Sequence, residues 1–147
     1  MTSKNKALQW FVCAAMAIAL IGFYMPFVAT GTYYTYSSTG FELLEMAIED
    51  GGAGFLVVGL VGTVAGLITA LIYVNSNSRY VLPLILSVVS CGSVWLYFSE
   101  GMDYVTNGFW LYILSHVASV VLCGMICANA KSSEEKTETT DKEQTNG

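Results

Sequence analysis

Residues 54–74 read GFLVVGLVGTVAGLITALIYV and contain no Asp, Glu, Lys or Arg. A helix needs about 20 mostly apolar residues to cross the hydrocarbon core of a bilayer. A helix at the surface of a soluble protein usually keeps one polar face. The stretch therefore predicts a membrane-spanning helix.

Three further charge-free stretches of similar length are found at about residues 8–29, 80–98 and 108–128. The chain has 147 residues, of which 54% are hydrophobic and 12% charged, whereas soluble domains usually carry about 25% charged residues. This composition excludes an ordinary soluble enzyme. We predict an all-α integral membrane protein, in which residues 1–130 form a four-helix bundle surrounded by membrane lipids.

The first stretch has some features of a secretory signal peptide, because two lysines, Lys4 and Lys6, precede it. It is longer than the apolar part of a typical signal peptide. Cleavage near Ala29 would also place Phe27 where a small residue is preferred. We therefore expect the stretch to remain in the protein as the first span.

The basic residues all fall on one side of the predicted spans: Lys4, Lys6, Arg79, Lys131, Lys136 and Lys142. The loops at 30–53 and 99–107 contain no Lys or Arg. Because cytoplasmic loops are enriched in Lys and Arg, we predict a multi-pass protein of the cell membrane with both termini in the cytoplasm. With eleven acidic and six basic residues, the chain is not expected to bind nucleic acid.

The loop at 30–53 is the one sizeable region outside the predicted spans. Residues 32–38 (TYYTYSS) favour a short strand. Thr39 and Glu42 form a capping-box pattern, and an amphipathic helix follows until Gly51. The helix is either a connector that shields the outer end of the bundle or a surface for a partner. The candidate partner residues are Phe41, Glu42, Leu44, Glu45, Ile48 and Glu49.

Residues 131–147 (KSSEEKTETTDKEQTNG) contain no aromatic residue and no periodic apolar residue. Such a composition cannot bury enough apolar surface to offset the entropy lost on ordering. We predict a disordered, cytoplasmic C-terminal tail.

Small residues recur along one face of the second span, at Gly59, Gly62, Gly66 and Ala70. They allow two helix backbones to approach closely inside a bilayer. This face packs either within one chain, which we favour, or between two copies in a homo-oligomer. The fourth span has a comparable face of Ser115, Ser119, Cys123 and Cys127.

The fourth span contains the single histidine of the chain, His116. An ionisable residue inside a membrane span is a functional candidate by default. Together with Ser115 and Ser119 it forms a candidate intramembrane polar site. The alternative is a structural hydrogen bond between helices, with Ser119, Tyr112 or Ser93 as the expected partner.

No catalytic, cofactor-binding or metal-binding constellation is apparent. The four cysteines, Cys13, Cys91, Cys123 and Cys127, lie within or at the edges of the predicted spans and include no CxxC pair. Packing is the preferred interpretation of these thiols. We expect a protein without enzymatic activity and without a cofactor.

Three short fragments occur in order: FYMPF at 23–27, GFELL at 40–44 and GFWL at 108–111. This arrangement resembles a loose group of small, uncharacterised four-helix membrane proteins of bacteria. The resemblance covers about residues 8–128 at the level of layout. It implies a cytoplasmic-membrane location and no defined activity.

Two functional hypotheses remain. In the first, the protein acts through contacts with proteins or lipids, in an accessory, assembly or immunity-type role, and its outer segment binds a membrane-protein partner. In the second, it is a small oligomeric channel or transporter lined by the polar face of the fourth span.

Overall fold

The computed structural model describes residues 3–30, 36–76, 79–99 and 104–145. In these ranges the elements follow one another as α1 (Ser3–Tyr24), β1 (Pro26–Thr30), β2 (Tyr36–Thr39), α2 (Gly40–Glu49), α3 (Gly54–Tyr73), α4 (Val81–Phe98) and α5 (Asn107–Thr145). Among the described residues, four helices, α1, α3, α4 and α5, are long and apolar enough to cross a membrane. The four apolar helices are therefore confirmed, and the described chain is mostly helical, but it is not all-α as predicted, because β1 and β2 form a two-stranded sheet.

The four long helices form a closed ring in the order α1, α3, α4, α5, because α1 packs against both α3 and α5 and α4 does the same. Neighbours in the ring are antiparallel. Near the end of α1, Gly22 lies against Gly108 and Tyr112 of α5. Near its start, Asn5 accepts a hydrogen bond from Asn129 at 3.0 Å.

This topology gives the bundle two distinct ends. The terminal end comprises the start of α1, residues 74–76 and 79–80, and α5 from Asn129 onward. The cap end comprises β1, β2, α2 and residues 104–106. The start of α1 and the end of α5 lie at the same end of the bundle, as the four-span prediction requires.

The first long helix ends at Tyr24, so the prediction that its span continues to Ala29 is wrong. Pro26 has no N–H for the helix ladder, and its ring disfavours a helical residue before it. Residues Pro26–Thr30 instead form β1, which pairs antiparallel with β2. The strand prediction for 32–38 is confirmed for residues 36–38, and residues 32–35 lie outside the described ranges.

The short helix α2 begins with the predicted capping box. The Thr39 hydroxyl oxygen accepts from the backbone N–H of Glu42 at 3.2 Å, and the Glu42 carboxylate accepts from the backbone N–H of Thr39 at 2.8 Å. At the other end, Gly51 has φ of 75°, and its N–H donates to Ile48 while that of Gly52 donates to Ala47. This is a Schellman ending, for which a glycine suits the left-handed backbone.

The last helix, α5, continues through the residues for which we predicted disorder, so that prediction is wrong for 131–145. Residues 146–147 lie outside the described ranges. The span has already met the cost of helix nucleation, and each added residue then gains a backbone hydrogen bond. A side-chain ion pair between Arg79 and Glu134 joins this extension to the residues before α4.

The interior divides into two hydrophobic clusters. The cluster toward the cap end is rich in aromatic rings, including Phe23, Phe27, Phe109 and Tyr112, all fully buried. The cluster toward the terminal end contains Met16, Cys123 and Tyr80. Tyr80 and Tyr112 are both fully buried, and their hydroxyl groups donate to the carbonyl oxygens of Ala70 and Gly59.

Candidate functional site

The small-residue face of α3 lies inside the chain. All four predicted packing residues, Gly59, Gly62, Gly66 and Ala70, are buried. A Cβ atom on Gly59 would contact Val94 of α4, and one on Gly62 would contact the Ser90 hydroxyl group. The face therefore packs within one bundle, as the favoured interpretation expected.

The small-residue face brings Thr63 to the middle of the bundle, where it meets His116. The Thr63 Oγ1 atom lies 2.9 Å from His116 Nε2 and 2.8 Å from the Tyr112 hydroxyl oxygen. The same hydroxyl group donates to the Gly59 carbonyl oxygen at 2.7 Å. The Tyr112 and His116 rings are in edge contact, with centroids 4.6 Å apart.

A second hydrogen bond lies near this group. The Ser87 hydroxyl group of α4 donates to the Ser119 hydroxyl oxygen of α5 at 3.0 Å. We call the buried set the polar centre and define it by its residues: Thr63, Ser87, Ser90, Tyr112, His116 and Ser119.

The polar centre includes two of the three residues that the sequence proposed as an intramembrane site. His116 is hydrogen-bonded to Thr63 rather than to Tyr112, Ser119 or Ser93, and Ser119 is paired with Ser87. Ser115 is buried, but no hydrogen bond joins it to the polar centre in the described part of the chain.

The polar centre connects helices that are opposite one another in the ring. Because α3 and α5 are separated by α1 and α4, the hydrogen bonds from Thr63 to Tyr112 and His116 cross the middle of the bundle. No Asp or Glu occurs in α1, α3, α4 or the apolar part of α5, so the imidazole has no carboxylate at its depth. The arrangement is suited to holding helices together.

The proposed partner surface on α2 is divided between two environments. Phe41 is half-buried, and its ring lies 5.0 Å from Phe23 by centroid distance. Leu44 also packs against the cap-end cluster. By contrast, Ile48 is 59% exposed.

The glutamates of that surface, Glu42, Glu45 and Glu49, are exposed. Glu42 also closes the capping box. Glu45, Ile48 and Glu49 are therefore the members of the set that face outward without a role in the fold.

Gln9 is a polar residue of the interior that the sequence analysis missed. It is 1% exposed; its amide N–H donates to the Ser76 carbonyl oxygen at 3.1 Å, and its amide oxygen accepts from the Asn75 N–H at 3.1 Å. It thus joins α1 to the turn after α3. The available signal was a single amide side chain inside an otherwise apolar span.

The cysteines and other ligand-type residues do not form a metal centre in the described ranges. All four cysteines are free thiols, and no group of three His, Cys, Asp or Glu side chains there is arranged to hold a metal ion. No family model, curated protein or solved structure matches the chain.

Proposed function

We propose that the chain is a non-enzymatic, multi-pass protein of the cell membrane that acts through contacts made by its cap end. The observation that carries the proposal is that the four-helix ring buries its polar side chains and exposes large apolar ones. The hydroxyl groups and the imidazole of the polar centre point inward, whereas large apolar side chains such as Ile72, Leu96 and Leu114 are exposed. Outward apolar faces suit lipid and cannot be hydrated at low cost.

The proposed orientation places both termini in the cytoplasm. The basic residues all belong to the terminal end: Lys4, Lys6, Arg79, Lys131, Lys136 and Lys142. The positive-inside rule assigns such an end to the cytoplasm. The cap end then faces outward.

The proposed contact surface is the exposed side of α2, formed by Glu45, Ile48 and Glu49. It combines one large apolar side chain with two negative charges, so a partner with an apolar contact residue and basic neighbours would complement it. An accessory, assembly or immunity-type role fits a protein of this kind.

The alternative of an oligomeric channel has less support from the geometry. It requires the polar face of α5 to line a shared pore. Ser115, His116, Ser119 and Cys123 are buried inside the single chain, where His116 binds Thr63 of α3 and Ser119 binds Ser87 of α4.

A site-specific photocrosslinker tests the contact proposal. In cells that naturally make the protein, a photoreactive residue replaces Ile48, and a matched variant carries it at Thr137, which is exposed at the opposite end. We expect a discrete adduct from position 48 and none from 137. An adduct of twice the mass of the chain identifies a second copy as the partner.

A charge variant sharpens this test. Because it removes the proposed complementarity, Glu45→Lys with Glu49→Lys should abolish the adduct, whereas Glu138→Lys should preserve it. Absence of an adduct at position 48, or an adduct that the double variant leaves unchanged, contradicts the proposal. Alanine at Phe41 or Leu44 is unsuitable here, because both side chains pack against the core.

A further inference from the structure

The start of α1 carries positive charge directly beside exposed apolar side chains. Lys6 and Trp10 are both exposed, and residues four apart share a face of a helix. Lys4 is exposed as well and shares a face with Phe11, seven residues further along, which is 60% exposed. Each lysine therefore lies one or two helical turns from a large apolar side chain that faces away from the bundle.

These two lysines have no ion-pair partner in the described part of the chain. The ion pairs found there join Arg79 to Glu134 and Lys142 to Glu138. The sequence has no Asp or Glu in α1 or between α3 and α4, so the acidic residues of the terminal end all belong to the extension of α5. The charges of Lys4 and Lys6 are therefore available to an anion from outside the chain.

We propose that the start of α1 binds the headgroup of an anionic phospholipid of the phosphatidylglycerol class. The phosphate diester accepts hydrogen bonds from the amines of Lys4 and Lys6, while the acyl chains lie against Trp10 and Phe11. A soluble polyanion would neutralise the amines but leave the apolar side chains uncovered. A negatively charged amphiphile complements both the charge and the apolar surface, and an indole ring suits the boundary between headgroup and acyl chain.

This inference rests on the membrane location that we propose, but not on the contact proposed for the cap end. It predicts a difference between the two ends of the bundle. Residues 80–130 contain no Lys or Arg, so Trp110, which is 43% exposed near the cap end, has no basic neighbour in α4 or in the apolar part of α5. Trp10 and Trp110 therefore report on the lipid beside a basic end and beside an end without basic residues.

Quenching of tryptophan fluorescence by brominated lipids measures this difference. One variant keeps only Trp10 (Trp95→Phe with Trp110→Phe), and its counterpart keeps only Trp110 (Trp10→Phe with Trp95→Phe). Each is placed in phosphatidylcholine vesicles that contain the same fraction of brominated phosphatidylglycerol or brominated phosphatidylcholine. We expect phosphatidylglycerol to associate about fivefold more strongly beside Trp10, the factor that one lysine near an anionic headgroup supplies. Beside Trp110 the two lipids should quench equally.

A charge variant tests whether the lysines cause this preference. In the chain that keeps Trp10, Lys4→Gln with Lys6→Gln should remove the preference, whereas Lys136→Gln with Lys142→Gln should preserve it. Equal quenching by the two lipids beside Trp10, or a preference that survives the loss of Lys4 and Lys6, would overturn the proposal. The first of these results comes from a chain with its own lysines, so the test remains decisive even if the lysine variant does not fold.

Two further results identify other errors. A preference that glycerol phosphate abolishes would overturn the lipid assignment, because the ligand would then be a soluble phosphate ester. Quenching of neither tryptophan by either lipid would contradict the membrane location itself, and the lipid site with it.

Discussion

At Gly62, the absence of a side chain gives the Ser90 hydroxyl group its place between α3 and α4. A methyl group there would collide with Ser90 Oγ. Because overpacking a dense core costs about 1–3 kcal/mol, we expect Gly62→Ala to lower the free energy of unfolding by that amount. The measurement is reversible unfolding in mixed micelles, followed by circular dichroism.

Gly124 provides the matched control for that change. A Cβ atom on Gly124 would have no neighbour within 4 Å, and alanine is the better helix former. Gly124→Ala should leave stability unchanged or raise it slightly. Equal losses in the two variants would contradict the close packing described for Gly62.

Thr63 of α3 makes side-chain hydrogen bonds to both Tyr112 and His116 of α5. Thr63→Val keeps the shape of the side chain but leaves His116 Nε2 without its partner, and an unsatisfied buried polar group costs about 1–3 kcal/mol. We expect a loss of stability in that range in the same micelle assay. Thr69→Val should have a much smaller effect, because the Thr69 hydroxyl group bonds only to Ala65 of its own helix. Similar losses in both variants would exclude the cross-bundle role.

The sequence was sufficient to identify His116 but not its partner. An ionisable side chain is rare inside a membrane span, so His116 stands out from the sequence alone. Thr63 lies 53 residues away, and no local pattern tells which helices of a bundle are opposite. Gln9 was missed for a similar reason, because its partners are backbone atoms of a turn whose position depends on the packing of α1 and α3.

Among the elements, α2 depends on its capping box. Replacing a capping threonine by alanine usually costs about 1 kcal/mol. Thr39→Ala should therefore speed hydrogen exchange at the Glu42 amide, measured by NMR or mass spectrometry. Thr137→Ala, in the exposed part of α5, should leave that amide unchanged. Unaltered protection of Glu42 in Thr39→Ala would contradict the assigned cap.

The elements were predictable where local chemistry decides them. Charge-free runs defined α3 and α4 to within a residue, and Thr39 with Glu42 defined the start of α2. The predicted end of α1 is too late because the sequence stays apolar beyond Pro26, whereas the helix cannot continue through a proline. Disorder was predicted for the extension of α5 because its composition is polar. Composition alone does not show that the preceding span has already nucleated the helix.

For the molecule as a whole, the ring of four helices should be stable without the extension of α5. The side chains of residues 131–140 are exposed, and the ion pair between Arg79 and Glu134 lies at the surface, where ion pairs contribute little to stability. A chain that ends at Ala130 should unfold in micelles with nearly the same free energy as the full chain. A chain that ends before Cys123 loses buried residues and should be strongly destabilised. A large loss on removing residues 131–147 alone would contradict this assignment.

The most direct test of the account is the side of the membrane on which each end of the bundle lies. Single cysteines replace Lys6, Lys136 or Glu45, and cells are treated with a membrane-impermeant maleimide before and after opening. The unsubstituted chain, whose own thiols lie within the proposed spans, provides the background. We predict that the cysteine at 45 reacts in intact cells, whereas those at 6 and 136 react only in opened cells. Labelling of positions 6 and 136 from opposite faces would contradict the four-span bundle.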